Sequence, residues 1–195
     1  MLNKVSPREA QYEIEPVFLE RWSPRSFLEK EVPEEVLLSL FEAARWAPSA
    51  YNYQPWRFIL ARTKEDREKF MSFIGEFNQT WCKTVPAFAL IVSKTTSETG
   101  TIRSHSFDAG AAWGYLSLEA VKKGLATHPM TGIDFAKARE VLNIPEEYAI
   151  DALVAIGYRG EKEALPAGLQ EREFPSERRP VKASVFEGTF GKNPE

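Results

Sequence analysis

Residues 86–93, Pro-Ala-Phe-Ala-Leu-Ile-Val-Ser, form an apolar run with no charge in it. A strand with one face in water alternates apolar and polar side chains, whereas a strand covered on both faces does not. This run is therefore read as a buried strand, and Ala149 to Tyr158 as another. Such strands need layers of other structure above and below them.

Helices supply those layers. The clearest is 33–47. Pro33 suits the first helical position, Glu34 and Glu35 follow in the first turn, and Val36, Leu37, Leu40, Phe41 and Ala44 recur at helical spacing before Pro48 ends it. A helix from about Ser106 to Lys123 carries Ala109, Gly110, Ala111, Ala112, Gly114 and Ala120 and closes at Gly124. It is apolar nearly all round, which predicts a central, buried helix. A short helix is expected within 8–20, a strand over 56–62, a polar helix over 64–79 and a Thr/Ser/Gly loop over 94–103. Leu125 to His128 read as a short strand, and Asp134 caps a helix running to Leu142. Helices come first, then strands separated by helices. The fold class is α+β, a layered α/β arrangement. No Gly-x-Gly-x-x-Gly opens a helix after the first strand and no Walker A loop occurs, so the doubly wound dinucleotide fold is not expected.

The 195 residues suit one domain, 1–195. The stretch 159–195 is rich in Pro, Glu and Arg and long for a surface loop, so it is expected to be an extension packing on a second subunit. A net charge of −3 with scattered Lys and Arg recommends neither nucleic acid nor an anionic membrane as partner. No 18-residue apolar run predicts a spanning helix, and Met1 to Pro7 lack the apolar core of a signal peptide. The single cysteine, Cys82, cannot close an internal disulfide and is given a structural role, so the cytoplasm is the expected compartment. The two histidines, His105 and His128, have no metal-like spacing, and no metal is expected.

Four motifs carry polar groups beyond what turns and strands need. Arg21-Trp22-Ser23-Pro24-Arg25-Ser26-Phe27 places donors on one side of an extended segment, serving either a solvated turn or a dense anion. Ala47 to Phe58 stops a helix and enters a strand, yet also holds Ser49, Asn52 and Gln54. Gly124 to Asp134 contains a Pro-x-x-Gly loop, Pro129 to Gly132, that can turn a backbone N–H toward a ligand. Arg178-Arg179-Pro180 is by itself a basic turn.

In this order the motifs resemble those of the nitroreductase family of FMN-dependent oxidoreductases. Arg21, Ser23, Arg25 and Phe27 match its first segment, and Ala47 to Phe58 match Ala-Pro-Ser-x-x-Asn-x-Gln-Pro-Trp-x-Phe at every specified position. Asp108, Gly110 and Ala112, then Gly124, Leu125, Pro129 and Gly132, then Arg178 and Pro180, match the rest, so the likeness spans about residues 15–185. Ser104 or its neighbours stand where many members carry a Gln, and the stretch from Cys82 to His105 is short for a lid.

The resemblance implies a central mixed, mainly antiparallel sheet flanked by helices, with a C-terminal arm exchanged in a homodimer that holds FMN between its subunits. It implies that Arg21, Ser23 and Arg178 hold the phosphate, with Arg179 beside them. Trp22 would lie near the ribityl chain and Arg25 at the N1–C2=O edge of the ring. Pro48, Ser49, Ala50 and Asn52 would come from the partner chain to cover the ring. Pro129, Met130, Thr131 and Gly132 would line its other side, with the backbone N–H near Thr131 facing N5. Hydride would pass from NAD(P)H through N5 to a nitroaromatic, quinone or enone acceptor in a ping-pong cycle, with no acid or base residue required. The alternatives are a specialised relative, such as a reductive dehalogenase or a flavin-fragmenting enzyme, a flavin-binding protein without turnover, and an α/β domain whose arginines meet only solvent.

Overall fold

The computed structural model describes residues 8–194. The reading of Met1 to Pro7 as no signal peptide lies outside the described residues. Four strands, β1 (Trp56–Ala61), β2 (Ala87–Lys94), β5 (Ala126–Met130) and β6 (Tyr148–Gly157), form one sheet in the order β1-β2-β6-β5. All three pairings are antiparallel. Between β2 and β5 the chain makes a two-stranded ribbon, β3 (Thr96–Ser97) with β4 (Gly100–Thr101), where the sequence reads as loop.

Alternation along each strand divides the core into two layers. Phe88, Leu90 and Val92 of β2 and Leu153 and Ala155 of β6 face one layer, with Phe70, Phe73, Trp81, Cys82 and Ala138. These come from α3 (Lys64–Met71), α4 (Glu76–Cys82), α6 (Phe135–Val141) and the turn after α3. Ala87, Ala89, Ile91, Val154 and Ile156 face the other layer, built by α2 (Glu34–Arg45) and α5 (His105–Lys122). The unbroken apolar runs of β2 and β6 follow directly, since both faces of the central strands are covered.

Local chemistry explains where elements differ from the sequence reading. The helix expected within 8–20 shrinks to α1, Val17–Glu20. Pro16 restricts the residue before it. Upstream, the Val181 N–H donates to Gln11 Oε1 at 2.8 Å, so this segment answers to the distant C-terminal arm. The expected helix over 64–79 is two helices. The Thr63 hydroxyl caps α3 by accepting from the Asp66 N–H, and the chain breaks before Gly75. There Ile74 pairs with Ile133, and the Gly75 N–H donates to the Gly132 carbonyl at 3.0 Å. Asp134 caps α6 as expected, accepting from the Lys137 N–H at 3.0 Å. Helix α5 is buried along one side, Asp108, Ala109, Ala112, Leu116, Ser117 and Ala120. Its opposite side exposes Phe107 at 82% and Tyr115 at 45%, which the all-round apolar pattern does not anticipate within one chain.

A shift in register between Ile91 and Val92 leaves Asp151 as an extra residue in β6. Bulges re-aim side chains. Asp151 here meets α5, where Oδ1 accepts from the Ser106 hydroxyl at 2.6 Å. After β6, the 159–194 segment carries one four-residue helix, α7 (Ala167–Gln170), whose Leu169 joins the core.

Candidate functional site

The 21–27 loop is held to the body from several directions. Phe27 is buried, pairs with Arg159 through the backbone and lies 6.2 Å from Trp81, ring to ring. The Ser26 hydroxyl donates to the Glu161 carbonyl at 2.6 Å. The Glu173 carboxylate accepts from the backbone N–H of Arg25, at 2.8 and 3.1 Å, and from that of Ser26 at 2.9 Å. His128 of β5 lies 2.9 Å through Nδ1 from the Pro24 carbonyl. A carbonyl only accepts, so Nδ1 carries the proton. Burial pushes the His128 imidazole below its usual range, against a smaller upward pull from that hydrogen bond.

This anchored loop gathers positive charge. The Arg21 guanidinium is lowered in pKa first by burial, then by the positive charges of Arg178 and Arg8. Arg8 is lowered by burial and by Arg178, and Glu177 partly offsets this. Arg21 Nη1 donates to Ser23 Oγ at 3.4 Å. The structure thus brings Arg178 to Arg21 and Ser23, more than 150 positions before it in sequence, and adds Arg8. Guanidiniums held this near one another raise each other's energy, and an anion between them removes the repulsion. Beside them, Arg8, Tyr12, Ile14, Phe18, Arg178 and Arg179 line part of a cleft of about 320 Å³. Arg179 is exposed there. Trp22 is half-buried, its ring 5.9 Å from the Arg159 guanidinium.

The second sequence motif forms a different kind of feature. Tyr51, Asn52 and Gln54 have φ of 48°, 57° and 46°, three left-handed non-glycine residues in one turn. Such residues cost energy and persist where surrounding contacts hold them. Here the Ser49 hydroxyl accepts from the Gln54 N–H at 3.0 Å, and Gln54 Nε2 donates to the Asn52 carbonyl at 3.1 Å. The buried Asp108 carboxylate accepts from the Ala50 N–H at 3.2 Å and from the Ser104 hydroxyl at 2.9 Å. The turn stands out from the surface, with Tyr51 90% exposed and Pro48 and Asn52 also exposed. Among the described residues no hydrogen bond joins it to the 21–27 loop.

Pro129 and Met130 end β5. Thr131 and Gly132 are exposed beyond it, with the Gly132 carbonyl accepting from Asn78 Nδ2 at 3.2 Å as well as from Gly75. A Cβ on Gly132 would stand 2.7 Å from Asn78 Nδ2, so a larger residue there would displace that side-chain amide from the Gly132 carbonyl. Within one chain the first motif meets the fourth beside Arg21 and the third through His128 and the Pro24 carbonyl, while the 48–54 turn stands apart from them. Sequence reasoning missed Arg8 and Glu173. Both sit in polar stretches with no local pattern, and only their distant partners give them meaning. Asp108 stood within a motif without an assigned task.

The family model described as "Nitroreductase family" matches residues 18–80 and 73–158. The chain belongs to the nitroreductase family. That membership makes it an oxidoreductase. It is 28% identical to an NADH dehydrogenase of Thermus thermophilus, over 86% of this chain and 92% of that one. It is 27% identical to an iodotyrosine deiodinase of Thermotoga neapolitana, over 71% and 84% of the two chains. A crystal structure described as an oxidoreductase containing FMN superposes with a TM-score of 0.92 at 41% identity, covering 96% of this chain and 98% of its own. The nitroreductase fold accounts for the antiparallel sheet with helices on both faces.

Proposed function

We propose that this family member uses FMN to pass a hydride from NAD(P)H to nitroaromatic, quinone or enone acceptors in a ping-pong cycle. The observation that carries the reading is the convergence of Arg21, Arg178 and Arg8 beside Ser23. Several guanidiniums and a hydroxyl on one partly buried patch suit a phosphate monoester, the charged end of FMN. The FMN in the 41%-identical structure supports the same cofactor here, and the NADH dehydrogenase relative supports a nicotinamide donor.

When bound, FMN supplies reversible hydride acceptance at N5. The chain's own part is binding and electrostatics. Arg21, Ser23 and Arg178 hold the phosphate, with Arg179 next to them and Trp22 along the ribityl chain. Arg25 sets a positive charge at the N1–C2=O edge, where negative charge grows, and Glu173 and the Pro24–His128 bond keep its backbone in place. Pro129, Met130, Thr131 and Gly132 line one side of the ring, with the N–H near Thr131 toward N5. Asn78 and Gly75 hold that loop through the Gly132 carbonyl. The projecting Pro48, Ser49, Ala50 and Asn52 turn reaches a second copy and covers the ring there, which is how one chain uses motifs that do not meet within it. No side chain is asked to move a proton. The domain spans 1–195, works as a homodimer whose 159–195 arm packs on the partner as well as on its own chain, and acts in the cytoplasm.

A visible absorption spectrum before and after anaerobic NADH or NADPH tests this. Flavin bands that bleach, followed by recovery with a quinone or nitroaromatic, are expected. Bands that persist would make the chain a flavin binder without turnover. No bands after soaking in FMN would overturn the reading. The deiodinase relative gives a second reading, reductive dehalogenation, favoured if the reduced protein is reoxidised by an iodotyrosine and not by a quinone.

A further inference from the structure

The C-terminal arm does not reach the arginine cluster by chance of chain direction. It is tied down at successive points. Glu173 receives the N–H groups of Arg25 and Ser26. Three residues on, the Ser176 carbonyl accepts from Arg8 Nε at 2.9 Å. The Val181 N–H then donates to Gln11 Oε1 at 2.8 Å. Arg178 lies between the last two ties. Arg8 also bonds the other side of the cluster, donating through Nη1 to the Arg21 carbonyl at 2.8 Å and to the Leu19 carbonyl at 3.4 Å. One planar guanidinium therefore joins the segment carrying Arg21 to the segment carrying Arg178.

Bringing Arg178 to Arg21 is electrostatically uphill before an anion arrives. Some structure must hold the two together, and Arg8 adds a further positive charge while doing so. We propose that Arg8 and Glu173 are positioning residues that clamp the C-terminal arm onto the 21–27 loop, setting the spacing of Arg21 and Arg178 for a phosphate monoester. Arg8 contacts backbone on both sides of the cluster, and Glu173 contacts the backbone of Arg25. The inference rests on the proposed phosphate reading of Arg21 and Arg178.

The ratio of FMN affinity to riboflavin affinity tests it, because the two ligands differ only in the phosphate. In the full-length protein, Arg21→Ala first establishes whether the cluster reads phosphate at all. An unchanged ratio in that variant would sink the phosphate reading itself, and the clamp with it. Given a fall there, Arg8→Lys keeps the charge but loses the fork that spans two segments. Loss of one or two such bonds should lower the ratio about tenfold, with riboflavin affinity nearly unchanged. Glu173→Ala should lower the ratio similarly, on top of a loss common to both ligands through Arg25. Glu173→Gln retains an oxygen able to accept both N–H groups and should restore most of it. The clamp is overturned if Arg8→Lys and Glu173→Ala leave the ratio at the wild-type value, or if they weaken both ligands equally.

Discussion

At the residue scale, burial decides chemistry more than residue type does. Cys82 is almost fully buried in the layer of α3 and α4, and desolvation pushes its thiol up to about 12. It should resist iodoacetamide at pH 8 in the native protein and react once urea unfolds it. His128 works the other way. Its folded pKa lies below the ordinary 6.5, chiefly through burial. Between those two values the unfolded chain binds more protons than the folded one. Its contribution to stability is therefore complete above about pH 6.5 and declines as the pH falls toward the folded pKa. Urea unfolding between pH 8 and 5.5 should show this decline, and His128→Asn should flatten it. Arg25→Ala should leave FMN bound while making its reduction potential more negative. A potential equal to wild type would remove Arg25 from the ring edge.

At the element scale, the 49–54 turn and the end of β6 depend on contacts from far along the chain. Asp108, on α5, accepts from both Ala50 and Ser104. Removing the acceptor leaves a buried donor and frees a turn with left-handed residues. Asp108→Ala should therefore cost about 1–3 kcal/mol in chemical denaturation, with Asp108→Asn costing less. At Gly157, where β6 ends, an added Cβ would lie 2.6 Å from Pro86 Cδ and 3.2 Å from Phe27 Cδ1. A proline ring cannot swing aside. Gly157→Ala should destabilise by about 1–3 kcal/mol through overpacking, read from the urea midpoint. An unchanged midpoint would mean that the Phe27 loop yields more easily than its buried ring suggests.

At the scale of the whole molecule, one chain leaves much apolar surface uncovered. Trp46, Tyr51, Phe107 and Phe18 are each more than half exposed, and three of them flank the α2 end and the α5 start. Exposed aromatic surface of this extent marks contact with another molecule. A second copy would cover it and bring the 48–54 turn to the cleft that lacks it. Sedimentation should give twice the chain mass, 22.2 kDa per subunit. A monomer that still retains flavin would defeat the shared site.

The unbroken apolar runs of β2 and β6, the amphipathic spacing of α2, the Asp134 cap of α6 and the helix stop at Pro48 depend on neighbours within a few residues, so sequence by itself determined them. The motifs around Arg21, Asn52 and Pro129 were likewise visible as polar groups in excess of structural need. Other features depend on partners more than a hundred positions away. The unwinding of 8–16 follows from Val181 reaching Gln11, and Arg8 acquires its place only when Ser176 folds back over Arg21. The exposure of Phe107 was also illegible, because periodicity records that a side chain is apolar and not what covers it. Short-range hydrogen bonds and alternation write elements into sequence. The meeting of segments is written only in the packed chain, where burial and charge from distant residues act on one point.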